Sequence, residues 1–187
     1  LRFATPAAWT EAVLADFDRF LNDHAAAEKK ASGMAMAMLS HYPDRKLLVD
    51  EMADLAIEEL NHFREVLKLM NQRGLQLAAD EKDPYINDFR SVFRRGSDVY
   101  LLDRLIVAGI IEARGCERFG LVGEALEEGP LKDFYLAITA SEAKHKNLFI
   151  TLAHEYFEAP IVEQRLNELL DFEAKLVARL PVRAALH

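Results

Sequence analysis

Apolar residues recur at three- and four-residue steps along most of the chain, and breakers bound each run. Phe17, Phe20, Leu21, Ala25, Glu28, Ser32 and Ala35 share one stripe of a helix predicted from Asp16 to about Leu39. Tyr42-Pro43-Asp44 ends it. A second helix, from about Asp44 to Arg73, turns Leu48, Met52, Leu55, Glu59, His62, Phe63, Val66 and Met70 inward and stops at Gly74. The third, Val99 to about Leu126, aligns Leu102, Leu105, Gly109, Glu112, Cys116 and Phe119. The fourth, Leu131 to Phe157, aligns Phe134, Tyr135, Ile138, Glu142, His145, Phe149 and Leu152.

Shorter elements surround these four. Thr5-Pro6 reads as the cap and first residue of a lead-in helix over Ala7 to about Ala15. Leu75 to Ser97 is a long connection of the kind that lets the second and third helices run parallel. It holds a short helix, Tyr85 to Arg94, and Gly96 ends it, with Ser97 or Asp98 capping the third long helix. Ala159-Pro160 opens a last amphipathic helix, Ile161 to Leu180. Pro181 stops it, and the tail to His187 is expected to fray. Nothing reads as a strand. The pattern predicts an all-α fold: a four-helix bundle with a long crossover and accessory helices.

Each long stripe is interrupted by a glutamate, and two of them by a histidine as well. Glu59-Leu60-Asn61-His62 and Glu142-Ala143-Lys144-His145 are both Glu-x-x-His, which puts the two side chains on one face a turn apart. One such motif is a weak signal. Here each copy follows a glutamate about thirty residues upstream, Glu28 and Glu112, so the halves of the chain repeat. A Glu-x-x-His from each of two helices, plus a Glu from each of two others, is the donor set of a two-metal site in a helix bundle.

Charge supports that reading. Interior carboxylates cost several kcal/mol each unless compensated. Two divalent cations bring four positive charges to four glutamates and leave the site neutral. Oxygen donors with one imidazole per metal suit iron or manganese; softer metals favour thiolate. In this arrangement Glu59 and Glu142 bridge, Glu28 and Glu112 are terminal, and His62 and His145 go one to each metal. His24, one turn before Glu28, is a candidate to line the site. His41, His154 and His187 lack matched partners and read as structural or surface. Glu58 is a candidate to support His145, and Cys116, one turn past Glu112, to line the pocket.

Composition narrows the picture further. The 187 residues suit one domain over 1–187, and an apolar fraction of 51% excludes a disordered chain. Net charge is −8, from 23 basic and 31 acidic residues, which argues against a broadly basic nucleic-acid binder but not against a local basic patch. The single cysteine, Cys116, excludes an intrachain disulfide and a thiolate zinc cluster, and suits a cytoplasmic protein. No apolar run approaches the roughly 20 residues of a membrane helix, so no membrane partner is expected. The start lacks both a signal-peptide core and an initiator Met. Four glycines in the third helix, Gly109, Gly115, Gly120 and Gly123, each cost about 1 kcal/mol against Ala. They imply close helix approach or room for a ligand.

Several di-iron families use this ligand set. Rubrerythrins need a Cys-rich site that one cysteine forbids. A radical-generating subunit wants a tyrosine near the metals, yet one natural place for it, two turns past the Glu of each Glu-x-x-His, holds Val66 and Phe149. Ile111-Glu112-Ala113-Arg114-Gly115-Cys116-Glu117-Arg118-Phe119 resembles the third-helix signature of the tRNA 2-methylthio-N6-isopentenyladenosine hydroxylases. Glu58-Glu59-Leu60-Asn61-His62-Phe63, Ser141-Glu142-Ala143-Lys144-His145 and Asp23-His24 followed by Glu28 resemble the same family's motifs. The resemblance runs from about Pro6 to the last helix.

It implies a ferritin-like fold, two iron ions with O2 as co-substrate, and hydroxylation of the isopentenyl group on a modified adenosine in tRNA. It also implies an external electron donor or reductase. The chain is expected to be a monomer or small homo-oligomer. The alternatives are a di-iron oxygenase on a small lipophilic substrate, of the aldehyde-deformylating type, and a bacterioferritin-like iron-binding bundle. A tRNA substrate needs a local basic mouth, for which Arg90, Arg94, Arg95, Arg114, Arg118, Lys144 and Lys146 are the candidates.

Overall fold

The computed structural model describes residues 1–187 as seven helices and no strand: α1 (Ala7–Ala15), α2 (Phe17–His41), α3 (Lys46–Gln72), α4 (Pro84–Ser91), α5 (Ser97–Ala125), α6 (Pro130–Tyr156) and α7 (Ala159–Arg179). The predicted boundaries shift by a few residues at most helix ends, where hydrogen bonding frays. None of the helices is long and apolar enough to cross a membrane. They form two compact units: residues 13–81 with 184–186, and residues 1–12 with 82–183 and 187.

In the first unit α2 packs along α3. Phe20, Leu21, Ala25, Ala35 and Met38 of α2 are buried, as are Leu48, Met52, Leu55, Val66 and Met70 of α3. These are largely the stripes predicted from spacing. Ser32, a polar member of the α2 stripe, donates its hydroxyl to the Ala56 carbonyl at 2.8 Å. Asp16 caps α2 by accepting from the Arg19 N–H. Gly74 ends α3 at φ 70°, a left-handed turn open to glycine, and the Leu75 N–H closes it on the Met70 carbonyl. The chain then returns along α2: the Ala78 N–H donates to Asn22, and Lys29 pairs with Asp80, both at 2.8 Å.

The tail does not fray. Ala184, Ala185 and Leu186 are buried, and the Leu186 N–H donates to the Asp23 carboxylate at 2.6 Å. Pro181 ends a helix but says nothing of where the residues after it dock.

In the second unit α5 is the central element, packed against both α6 and α7, while α4 packs on α7. More than half of α5 is buried, on all faces, as a helix enclosed by others must be. Gly96 at φ 113° sets its entry, so the cap predicted for Ser97 or Asp98 is instead a glycine turn. Thr5 is not spent on capping α1 either: its N–H and hydroxyl both donate to Glu117, at 3.0 and 2.7 Å. Gly129, at φ 151°, caps α6 and Pro130 opens it.

Two of the four α5 glycines, Gly109 and Gly123, serve close packing. A Cβ on Gly109 would sit 3.3 Å from the Lys146 carbonyl oxygen and from Ile150 Cδ1, and one on Gly123 3.0 Å from Leu136 Cδ2. Gly120 has ordinary room, 3.5 Å to Thr139 Cγ2. Gly120→Ala should therefore stabilise by about 1 kcal/mol through helix propensity. Gly109→Ala meets a backbone oxygen that no rotamer change can move, and overpacking of roughly 1–3 kcal/mol cancels or reverses that gain. Urea unfolding of the two variants measures the difference. Equal gains would show that α6 yields to the added methyl group.

Candidate metal centre

Each unit carries one buried Glu–Glu–His triad, and each is built the same way. On α3, Glu59 and His62 lie three residues apart, with His62 Nδ1 3.3 Å from Glu59 Oε2. Glu28 comes from α2, its Oε2 3.7 Å from the same ring nitrogen. Glu28 and Glu59 are buried and His62 is half-buried. The donor atoms of all three lie within 4.8 Å of one another. His24, one turn before Glu28 and fully buried, contacts Glu28 Oε1 through Nε2 at 2.7 Å, so it orients that carboxylate.

In the second unit, Glu142 and His145 on α6 repeat the arrangement, Nδ1 to Oε2 at 3.4 Å, and Glu112 of α5 completes the set. All three are buried, and their donor atoms again lie within 4.8 Å of one another. Each triad thus gathers two carboxylates and an imidazole within reach of a single cation. Its donor chemistry, hard oxygens with a single imidazole, fits iron or manganese.

Burial pushes the His62 imidazole down, but the hydrogen bonds it donates to Glu28 and Glu59 and the charges of both outweigh it and raise the pKa to about 10. Without metal, the proton on His62 is the counter-charge of the two glutamates.

The other residues singled out by sequence separate into three groups. Glu58 is half-buried beside Glu59 on α3. Cys116 is half-buried with its thiol directed to the Thr139 carbonyl at 3.5 Å; burial pushes its pKa up. Among the basic candidates, Arg90, Arg95 and Lys144 are exposed and Lys146 is partly so. Arg94 keeps part of its surface but binds Asp103 at 2.7 Å.

Arg114 and Arg118 are not at the surface, being 0% and 6% exposed. Arg114 donates Nε to Glu173 at 2.8 Å, Nη1 to Thr5 at 3.0 Å and to Glu117, and Nη2 to the Phe3 carbonyl at 2.8 Å. Tyr85 adds its hydroxyl to Glu173 at 3.1 Å. Arg118 lies 4.9 Å over the Trp9 ring, and burial together with Arg114 pushes its pKa down to about 10. Both guanidiniums are structural here, which removes them from the set that meets phosphate.

Sequence reasoning missed Asp103, Glu173 and Arg165. Asp103 is fully buried and holds both Arg94 and Arg165, the latter at 2.8 Å. Burial alone would raise its pKa; the two arginines hold it below the usual carboxylate range. Glu173 stands between Leu169 and Leu176 on the inner stripe of α7. A lone charge on an apolar stripe is the signal that found Glu28, and it was present here too.

The model of the family described as tRNA-(MS[2]IO[6]A)-hydroxylase (MiaE) matches residues 1–187, the whole chain. The chain belongs to this family. A relative from Pseudomonas putida, named tRNA 2-(methylsulfanyl)-N(6)-isopentenyladenosine(37) hydroxylase, is 40% identical over 152 residues, 81% of this chain and 74% of that protein. A protein of the same name from Salmonella typhimurium is 32% identical over 155 residues, 83% of this chain; the match spans 56% of the Salmonella protein. Among solved structures, "Protein 43 with aldehyde deformylating oxygenase activity from Synechococcus" superposes with a TM-score of 0.93 at 34% identity, covering 98% of this chain and 92% of that one. Membership makes this MiaE-family chain an enzyme of the tRNA hydroxylase class, with an all-α, ferritin-like fold.

A metal ion must displace the His62 proton, because only the neutral imidazole is a ligand. With that pKa at about 10, iron loading near neutral pH should release protons and weaken as pH falls. Calorimetry in buffers of different ionisation enthalpy measures the count. Loading without any proton release would contradict the protonated, metal-free triad.

Proposed function

We propose that this enzyme hydroxylates the isopentenyl group of 2-methylthio-N6-isopentenyladenosine in tRNA, using O2 and two iron ions. Glu28, Glu59, His62, Glu112, Glu142 and His145 are the ligand set, and residues 1–187 act as one functional domain. The reading is carried by the duplicated, buried Glu–Glu–His triad in a chain matched along its whole length by the hydroxylase family. Tight clusters of four carboxylates and two imidazoles in all have a use in holding cations and little other reason to be buried.

Two bound irons would give O2 two electrons and the allylic C–H bond the other two, so that with two protons one oxygen atom enters that bond and the other leaves as water; an external donor or reductase would then return two electrons to the metals. The protein's own groups prepare that chemistry. His24 fixes the direction in which Glu28 presents its carboxylate. The i,i+3 spacing fixes each imidazole against its neighbouring glutamate. Burial keeps water from competing for the donors. The target base is reached by drawing a loop nucleotide out of its stack, the usual route for enzymes that act on a base. A cytoplasmic location follows from a tRNA substrate.

The likeness to the Synechococcus protein favours one other reading, deformylation of a fatty aldehyde in a ferritin-like site. One experiment separates the two. Hypomodified tRNA and a long-chain aldehyde are each incubated with the iron-loaded protein, O2 and a reductant. Nucleoside mass spectrometry should show the isopentenyl nucleoside gaining one oxygen, with no hydrocarbon from the aldehyde. Hydrocarbon without nucleoside oxidation would reverse the assignment. Metal analysis should find about two irons per chain; a single zinc would sink the ligand set. Glu142→Ala should cut turnover by more than about 100-fold, beyond the loss typical of residues that only support a ligand. Its helical circular dichroism should be kept. Retained activity would remove Glu142 from the ligands.

A further inference from the structure

The junction between α4 and α5 differs in charge from the rest of this acidic chain. Several surface cations elsewhere are matched to carboxylates, among them Arg73 to Asp18, Lys68 to Glu65, Lys132 to Glu128, and Arg179 to Asp88, and those without such a pair, such as Lys175, have no neighbouring aromatic platform of the kind found at this junction. Arg90, in the last turn of α4, and Arg95, in the bend before α5, are exposed and have no ion-pair partner. Nor does the buried carboxylate at this junction neutralise the rest, since Asp103 is shared by two guanidiniums, Arg94 and Arg165. The neighbouring Glu168 is also held by Arg165. Asp98, in the first turn of α5, is the exposed acid set against this surplus.

An aromatic platform stands in the same place. Tyr100 is 39% exposed in the first turn of α5. Phe93 braces it edge-on, ring centroids 5.6 Å apart at 77°. The Arg104 guanidinium lies 5.9 Å from its centroid, one turn further on. Gly96, at φ 113°, folds the bend back so that Phe93 meets Tyr100, and the Arg94 N–H locks it to Asp103 at 2.8 Å. A braced, half-exposed ring, with the exposed cations Arg90 and Arg95 in the same junction, is what single-stranded nucleic acid requires: a π-face for a base and cations for the phosphates beside it. Tyr100 precedes Glu112 by twelve residues on one helix, about 18 Å along its axis. That distance suits contact with loop nucleotides flanking the target rather than with the target itself.

The geometry points to the α4–α5 junction as the surface that grips the single-stranded loop of the tRNA, with Tyr100 stacking on a base and Arg90 and Arg95 contacting phosphates. This inference rests on the tRNA hydroxylase reading.

The test is an anisotropy titration of fluorescein-labelled, hypomodified tRNA with the full chain between 50 and 200 mM salt, paired with the hydroxylation assay. Arg90→Ala/Arg95→Ala should weaken binding roughly ten-fold, and flatten the salt dependence by about 0.7 per lost single-strand contact. Tyr100→Leu should weaken it by roughly ten-fold with the salt slope unchanged, and Tyr100→Phe should restore binding, because stacking needs the ring and not the hydroxyl. Lys175→Ala, an exposed cation on α7, should bind like the parent. KM for tRNA should rise in the weakened variants while kcat holds. If the parent hydroxylates the nucleoside and these variants bind as it does, the surface is wrong and the function stands. If Tyr100→Phe loses as much as Tyr100→Leu, the stacking role is wrong. If the parent neither binds tRNA nor adds oxygen to it, the functional reading itself fails.

Discussion

A glutamate on the inner stripe of a helix is a debt that hydrophobic packing cannot settle. Each long helix here carries one, and the fold is arranged around the groups that answer it. In the triads, an imidazole and a second carboxylate converge within reach of one cation. His62 shows the tension most clearly: the pull of Glu28 and Glu59 on its proton exceeds the cost of holding a charge out of water. The same constraint governs Glu173 and Asp103, answered there by Arg114 and Arg165. The molecule therefore uses two solutions to one problem, an internal guanidinium at Glu173 and Asp103 and an open set of donors with room for a cation at the triads.

α5 holds both solutions at once. Glu112 and Arg114 are two residues apart, about 200° around the helix, so they face opposite ways. The Arg114 side ties α5 to α7 through Glu173 and to the N-terminal segment through Thr5 and Phe3. The Glu112 side faces Glu142 and His145. Glycines let α6 approach closely at Gly109 and Gly123. A helix held from every direction keeps its rotation, and with it the aim of Glu112.

The stripes, the breaks and the paired Glu-x-x-His motifs were legible in the sequence because they are local: they depend on residues three or four apart, or on a repeat within the chain. Spacing alone singles out all six residues that the structure gathers into the triads, and His24 beside Glu28. The features that escaped depend on distant partners. Arg114 and Arg118 read as part of a basic face, yet Arg114 is satisfied by groups up to 111 residues away. No spacing rule reveals that Phe3 offers a carbonyl or that Thr5 turns toward Glu117. The docking of Ala184–Leu186 was invisible for the same reason, since Asp23 lies 163 residues before Leu186. Tyr100 escaped because an exposed tyrosine gains its meaning from Phe93 and Arg104 beside it.

The lone thiol bears on how long such an enzyme lasts. Oxidants attack cysteine through its thiolate, and damage past the first step is irreversible. Cys116 stands one turn from Glu112, beside the site where the proposed oxygen chemistry would take place. Burial and the Glu142 charge outweigh Lys146 and keep its proton on, and the Thr139 carbonyl lies within reach of the sulfur. A cysteine held in that state is slow to react. The enzyme can keep a polarizable, well-fitting side chain at this point in α5 without making it a weak point that wears out with turnover.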